Sequence, residues 1–384
     1  MEKYHTHTLQ SKKNINMVKL RIVTLIALIC LIVCQKPTSF EELRDKVSGR
    51  VTSYMLPLFT YEEENGQGDV DYTSVYAVPE WFYEDENAQS NGDMAVNDNV
   101  NISNDKQSVE AISDGVLGVT YTRDELAQPD FLLSHVYVVD NNTSMTADEM
   151  SLENLMDTNM KVENISCNTT IEAQNAPPKI LIYHTHGSES FADSRPGVKE
   201  DTIVGVGAYL EEILEQEYHI PVYHDETAYD MIDGTLDRSK AYEKAYENVS
   251  RILKENPSIE VVIDLHRDGV NEETHLVTEV SGKPTAKIMF LNGVSRSNMN
   301  GEIAYLENPN KKQNLAFSFQ MYIAGKERYG DYVRKIYVRS LRYNLHLMPR
   351  TTLIEVGAQN NTLEEEKNAM EPLATILNEV LSGE

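Results

Sequence analysis

The chain has 384 residues, enough for one sizeable domain with extensions or for two modest domains. Its formal net charge of -27 argues against DNA, RNA or anionic lipid as partners, because phosphate groups would repel it. The three cysteines, Cys30, Cys34 and Cys167, offer neither a disulfide framework nor a cysteine-type zinc site. Any metal site in this chain must therefore use histidine and carboxylate ligands.

The first 38 residues resemble a membrane-targeting segment. Residues 1–21 are polar and basic, and an apolar run from Ile22 to Cys34 follows them directly. This run is shorter than the roughly 17–25 residues of a spanning helix. The pattern predicts a cytoplasmic tail over 1–21 and a membrane anchor or signal-anchor over 22–38, which places the remainder of the chain outside the cytoplasm. A cleaved signal and a buried strand or helix are the alternatives.

Residues 39–127 read as a juxtamembrane segment followed by an acidic linker. Between residues 61 and 110 there are thirteen Asp or Glu against the single Lys106. Low hydrophobicity and high net charge cannot offset the entropy lost on ordering. The sequence therefore predicts a flexible tether.

From residue 128 to 384 the pattern predicts one catalytic domain. Its strands and helices alternate, which is typical of an α/β fold: a mixed, mostly parallel sheet with helices on both faces. Phe131–Leu133 and Val136–Val139 look strand-like, and Thr146 with Glu149 resembles a helix capping box. The later strands are predicted over 180–183, 261–265, 286–291 and 352–356, and the helices over 204–216, 238–254, 313–329, 330–343 and 362–381.

Three of the predicted strands end in ionisable groups. Ile180–Tyr183 is followed by His184, Thr185, His186 and Glu189, the second strand contains Asp264 and His266, and the third contains Glu355. Alternate residues of a strand share a face, so Asp264 and His266 should lie together. The carboxyl ends of parallel strands form the crevice in which α/β proteins bind ligands.

His186, Glu189 and His266 supply the three ligands that a catalytic zinc needs while leaving one position for water. Glu355 is the candidate general base and acid that carries the proton of that water to a leaving amine. Asp264 is a candidate for orienting a ligating imidazole, and Arg267 for stabilising an oxyanion.

Several alternatives stay open. His184 could replace His186 as a ligand or support it by a hydrogen bond, and Glu200 is a rival to Glu189. Glu355 could instead be a buried structural carboxylate paired with Arg267 or Arg350. Three other histidines look unpaired and are expected to be surface or packing residues: His219, His224 and His346.

These strings resemble the stage II sporulation protein P family, the membrane-anchored cell-wall hydrolases of endospore-forming bacteria. The matching segments are 182–186 with Glu189 and Ser190, 263–268, 286–290, 353–364 and 371–374, of which 353–364 is the most specific. The similarity covers roughly residue 131 to the C-terminus. The order of tail, anchor, acidic linker and catalytic domain also agrees.

The resemblance implies a zinc-dependent N-acetylmuramoyl-L-alanine amidase, related in fold to zinc carboxypeptidases, which acts on peptidoglycan. It also allows endopeptidase action on peptide cross-links. By this likeness the protein thins septal peptidoglycan during engulfment, at the septal or forespore-engulfing membrane. Its partners would be a lytic transglycosylase resembling stage II sporulation protein D and a membrane assembly protein. The rival expectations are a stem-peptide endopeptidase only and an inactive peptidoglycan-binding or scaffold module.

Overall fold

The computed structural model describes residues 118–232, 234–299 and 301–383. The predicted tail (1–21), the predicted anchor (22–38) and most of the predicted linker (39–127) lie outside these ranges. No helix within them is long and apolar enough to cross a membrane.

The described residues form an α/β fold around a seven-stranded sheet. The strands in these ranges are β1 (Tyr137–Val139), β2 (Ile180–Tyr183), β3 (Val222–His224), β4 (Met231–Ile232), β5 (Thr235–Leu236), β6 (Val261–Asp268), β7 (Val277–Val280), β8 (Lys283–Ala286), β9 (Ile288–Gly293), β10 (Arg296–Ser297), β11 (Gly301–Glu302), β12 (Ile336–Arg339) and β13 (Thr351–Ala358). The α-helices there are α1 (Arg123–Leu126), α2 (Pro129–His135), α3 (Leu152–Leu155), α4 (Thr170–Ala173), α5 (Ile203–Gln216), α6 (Ala241–Glu255), α7 (Lys311–Tyr329), α8 (Leu363–Asn368) and α9 (Met370–Ser382).

The strand order of the main sheet is β1-β12-β9-β13-β6-β2-β3. Neighbouring strands are parallel except for the pair of β13 and β9, which is antiparallel. The predicted mixed, mostly parallel sheet is therefore confirmed. Because β2, β6 and β13 run in the same direction, their carboxyl ends meet at one edge of the sheet.

Helices cover both faces of the sheet, as the sequence predicts. On one face, α5, α7 and α9 pack against alternate strand residues such as Ile182 and Ile263 in the largest apolar core. On the other face, Ala245, Val249 and Ile252 of α6 pack against Leu181 and Tyr183. The spacing of these three α6 residues places them on one side of a helix. Leu126 belongs to the larger core and precedes the predicted domain boundary at 128.

Two predicted elements are wrong, each for a local reason. Phe131–Leu133 lies in helix α2, because Pro129 occupies its first position, where proline favours a helix. The helix predicted over 330–343 is instead a 3-10 turn at Gly330–Tyr332 followed by β12. Gly330 ends α7 with a φ of 54°, and the Ile-Tyr-Val run of β12 favours a strand.

Two other helix predictions hold only in part. The helix predicted over 362–381 is divided at Ala369 into α8 and α9, because the ring of Pro372 would clash with the carbonyl of Asn368 in a continuous helix. The Thr146–Glu149 capping bonds form, yet residues 147–150 are a turn, and the next helix, α3, is capped by Ser151 instead. Strand β3, at the edge beside β2, was not predicted.

Candidate metal centre and active site

The predicted ligands lie together at the carboxyl ends of β2 and β6. His186 and His266 have ring centroids 5.3 Å apart, with their rings nearly perpendicular. Nδ1 of His266 is 3.5 Å from Oε2 of Glu189. All three side chains are buried, with at most 3 % of each residue exposed. The H-x-x-E string and the second strand therefore converge as the sequence predicts, although their roles toward a metal remain a prediction.

The position of His266 is set by two carboxylates, one at each ring nitrogen. Nε2 lies 2.8 Å from Oδ1 of Asp264, two residues earlier on the same face of β6. Thr185 holds Asp264 in turn, because its backbone N–H and its hydroxyl both donate to that carboxylate. Burial opposes the charged imidazolium, but Asp264 and Glu189 outweigh it and raise the pKa of His266 well above its usual value.

Glu189 has a backbone partner as well. Its Oε2 accepts a hydrogen bond of 3.0 Å from the N–H of Arg267. Burial would raise the pKa of Glu189, but His266, Arg267 and His186 together lower it to about 2. The carboxylate is therefore ionised, as a metal ligand must be.

His186 differs from Glu189 and His266 because its ring nitrogens form no hydrogen bonds. Both Nδ1 and Nε2 are buried without a hydrogen-bond partner. Burial lowers the pKa of His186 to about 4, although the carboxylate of Glu189 opposes this, so the ring is neutral at pH 7. Tyr242 packs edge-on against the ring at 5.6 Å, and the carboxylate of Asp230 comes within 4.0 Å of Nδ1.

Glu355 lies beside His266 on the neighbouring strand. The two residues are register partners of β13 and β6, and they share the face that α6 covers. Oε2 of Glu355 is buried without a hydrogen-bond partner. Burial, then the nearby carboxylate of Asp268, raises the pKa of Glu355 well above its usual value.

The structural alternative for Glu355 required pairing with an arginine. Arg267 donates instead to the backbone carbonyls of Ser190 and Asp268, and Arg350 donates to those of Met160 and Lys161. Both guanidinium groups are thus engaged elsewhere. The same bonds leave the predicted oxyanion role of Arg267 without a contact that supports it.

Two rival ligands are not brought into this cluster. His184 continues the alternation of Ile180 and Ile182 and lies on the opposite face of the sheet, against Gly207 of α5. Its Nδ1 is 2.8 Å from the carbonyl of Leu265 and its Nε2 is 2.8 Å from Nε2 of His224. Glu200 is exposed in the 3-10 helix Lys199–Asp201.

The described residues contain no group of three or more His, Cys, Asp or Glu side chains that could hold a metal ion as it stands. The donor set nevertheless suits zinc, which binds imidazole nitrogen and carboxylate oxygen. Two buried nitrogens without partners on His186 are the feature that fits a ligand best, since buried polar atoms are nearly always paired. Asp264 on the far nitrogen of His266 is the arrangement that commonly orients a ligating imidazole.

Comparison with known proteins adds a family to this geometry. The sequence signature of stage II sporulation protein P matches residues 83–378, well over half of the chain. The chain belongs to the stage II sporulation protein P family. Stage II sporulation protein P of Bacillus subtilis (strain 168) is 23% identical over 230 residues, which is 54% of this chain and 54% of that protein. The chain thus spans about half the length of the curated relative it matches.

Among solved structures, similar ones include two amidases. The CwlD amidase from Clostridioides difficile, in complex with the GerS lipoprotein, is 13% identical, with 54% of this chain and 100% of that chain covered and a TM-score of 0.35. The amidase Ami1 from Mycobacterium smegmatis is 12% identical, with 54% and 99% covered and a TM-score of 0.34. The family assignment rests on the sequence signature.

In this family member, several residues around the site were not found by sequence reasoning. Asp230 and Tyr242 follow β3 in a loop and a helix, and neither carries a local motif that points to His186. His224 was expected to be unpaired, and this is wrong: it bonds His184, and its Nδ1 is 3.3 Å from Oε2 of Glu211. Recognising the strand Val222–His224 beside β2 would have placed this histidine next to His184.

Proposed function

We propose that this protein is a zinc-dependent N-acetylmuramoyl-L-alanine amidase that cleaves peptidoglycan between the lactyl group of muramic acid and the stem peptide. The observation that carries the proposal is the meeting of His186, Glu189 and His266 beside Glu355 at one sheet edge. Membership of the stage II sporulation protein P family supports cell wall as the substrate.

His186, Glu189 and His266 would hold the zinc, with Asp264 fixing the orientation of the His266 ring. Zinc bound there would act as a Lewis acid and lower the pKa of bound water to about 7. Hydrogen bonds from Thr185 and from the Arg267 N–H hold Asp264 and Glu189 in place. The proposed ligands would therefore be positioned before the substrate binds. The site is buried, which strengthens every electrostatic interaction within it.

Glu355 would carry the proton. The pKa of Glu355 is raised in the protein without a metal, and it would fall beside a bound cation. The ionised carboxylate, whose Oε2 has no hydrogen-bond partner, would then take a proton from water and release it to the amide nitrogen. In the proposed reaction, the oxygen of a water molecule that has given its proton to Glu355 would add to the lactyl carbonyl carbon, the C–N bond would break, and the nitrogen would leave with that proton. The products are a free lactyl carboxylate and a stem peptide with a free amino terminus.

We place the catalytic domain outside the cytoplasm, held by the anchor predicted over 22–38. There it would thin septal peptidoglycan during engulfment. A lytic transglycosylase resembling stage II sporulation protein D would act alongside it, and a membrane protein would assemble the two. These partners are proposed from the family resemblance.

The test is digestion of purified sacculi by the full-length chain, with zinc or with a chelator, followed by mass spectrometry of the new termini. We expect free lactyl ends together with intact stem peptides, and no release in the presence of chelator. Cleavage within stem peptides or cross-links alone would replace the amidase by an endopeptidase. Sacculi left intact with zinc present would favour a peptidoglycan-binding module.

A further inference from the structure

We propose that His184 is a positioning residue for the site. Its side chain lies on the opposite face of the sheet. Its imidazole extends the hydrogen-bonded ladder between β2 and β6 past the end of β2, and so holds the backbone segment Leu265–Arg267. The effect of His184 on catalysis rests on the proposed function. The geometry of His184 stands on hydrogen bonds that do not involve a metal.

The need for such a residue arises because the two strands end at different points. Pairing of β2 with β6 stops at Tyr183 opposite Asp264, whereas β6 continues to Asp268. Beyond that point, Leu265 and Arg267 still direct their backbone groups toward the side where β2 has ended, since alternate residues of a strand face the same neighbour. Buried backbone groups without partners are costly, and something must replace the missing strand.

Two side chains take over where the backbone of β2 leaves off. The carbonyl of Leu265 lies 2.8 Å from Nδ1 of His184, and the N–H of Arg267 donates to Oε2 of Glu189 at 3.0 Å. The residue between them is His266. One short backbone segment thus carries the imidazole of one proposed ligand and the hydrogen bond that holds the carboxylate of another.

The imidazole of His184 can serve this purpose because its tautomer is fixed. A carbonyl only accepts, so Nδ1 of His184 carries the hydrogen, and Nε2 of the neutral ring is left to accept one. His224 supplies that hydrogen from its own Nε2 at 2.8 Å. Nδ1 of His224 lies 3.3 Å from Oε2 of Glu211 of α5 without forming a hydrogen bond to it.

Gly207 of helix α5 leaves room for this pair of rings. A Cβ added at Gly207 would come within 2.7 Å of Cε1 and Nε2 of His184 and within 2.9 Å of Nε2 of His224. Both imidazoles are buried. A larger residue at 207 would therefore push on the pair without removing any hydrogen-bonding group.

The test compares four variants of the full-length chain with the wild type: His184→Phe, His184→Asn, Gly207→Ala and, as a control distant from the site, His135→Phe. His184→Phe keeps a ring but removes the donor. His184→Asn keeps an N–H group close to the position of Nδ1. We would measure hydrogen exchange at the Arg267 amide without metal, the zinc dissociation constant by chelator competition, and kcat and KM on sacculi fragments.

We expect His184→Phe to speed hydrogen exchange at the Arg267 amide at least tenfold. Zinc affinity and kcat should each fall by about 10–100-fold, the usual effect of losing a residue that supports a ligand, and KM should change little. His184→Asn should recover most of each loss, and His135→Phe should change none. Gly207→Ala should also speed Arg267 exchange, although alanine favours a helix over glycine.

Unchanged Arg267 exchange in His184→Phe would overturn the inference whatever the chain does to cell wall. A second outcome is faster Arg267 exchange in His184→Phe together with a wild-type chain that binds no zinc and cleaves nothing. That outcome would reject the proposed function but would leave the backbone role of His184 in place. A loss of folding stability with zinc affinity unchanged would show a structural histidine only, and would also contradict the positioning role.

Discussion

Two buried clusters of charge in this protein are built in opposite ways. At the start of β10, Arg296 forms a bidentate pair with Glu149, at 2.6 and 2.7 Å, and Lys311 adds a third contact at 3.1 Å. At the carboxyl ends of β2 and β13, His186 has two buried nitrogens without partners and Glu355 has a buried oxygen without one. Burial opposes ionisation of Glu149, yet Arg296 and its other partners lower its pKa to about 2, whereas the pKa of Glu355 is raised.

The difference teaches where the fold retains polar groups for stability and where it retains them for chemistry. A buried charge whose partners are complete contributes to one folded arrangement, and removal of a partner is costly. A buried polar atom without a partner costs free energy in the protein alone, so it requires another explanation, such as a ligand. Mutations at the two clusters should therefore affect different measurements.

The largest expected effect is on turnover. Glu355→Gln keeps the shape of the side chain but cannot carry the proton, so kcat should fall by about 10²–10⁴-fold, the usual contribution of a general acid–base. Zinc affinity should change little, because Glu355 is not one of the proposed ligands. The free energy of unfolding should also change little, because Oε2 has no hydrogen bond to lose. Kinetics on sacculi fragments and chelator competition measure the two. Wild-type kcat in this variant would assign the proton to another residue.

The next effect is on stability. Arg296→Met leaves the buried Glu149 with Lys311 and the Thr146 N–H as its remaining partners, and the free energy of unfolding should fall by about 3–5 kcal/mol. The matched control is Arg251→Met, which removes an exposed pair with Glu255 and should cost under about 1 kcal/mol. Urea unfolding followed by circular dichroism gives both values. Equal losses in the two variants would remove the contrast between the clusters.

Much of this contrast could be read from the sequence, and the rest could not for physical reasons. Strand ends at His186, His266 and Glu355 were predicted because apolar runs stop abruptly at polar residues, and parallel strands bring such ends together. The separation of His184 from His186 was not predicted, because residues two apart share a face only while a strand continues, and β2 ends at Tyr183. The pairing of Glu149 with Arg296 joins residues 147 positions apart, and no local pattern links them.

Local chemistry also explains which elements were misread. Pro129 and Pro372 both lie in the first turn of a helix and indicate where that helix begins. The apolar residues near them suggested a strand in one case and a continuous helix in the other. Edge strand β3 is only three residues long and partly exposed, so its apolar content was too small to predict a strand. His224 appeared unpaired for that reason, although the structure places it next to His184.

The most direct test of the central proposal is zinc titration of the full-length chain and of four variants: His186→Leu, His266→Leu, Glu189→Gln and Glu200→Gln. The account predicts one zinc per wild-type chain, loss of that site in the first three variants and normal binding in Glu200→Gln. Full binding by His186→Leu would contradict it, and loss of zinc in Glu200→Gln with normal binding in Glu189→Gln would contradict the choice of carboxylate.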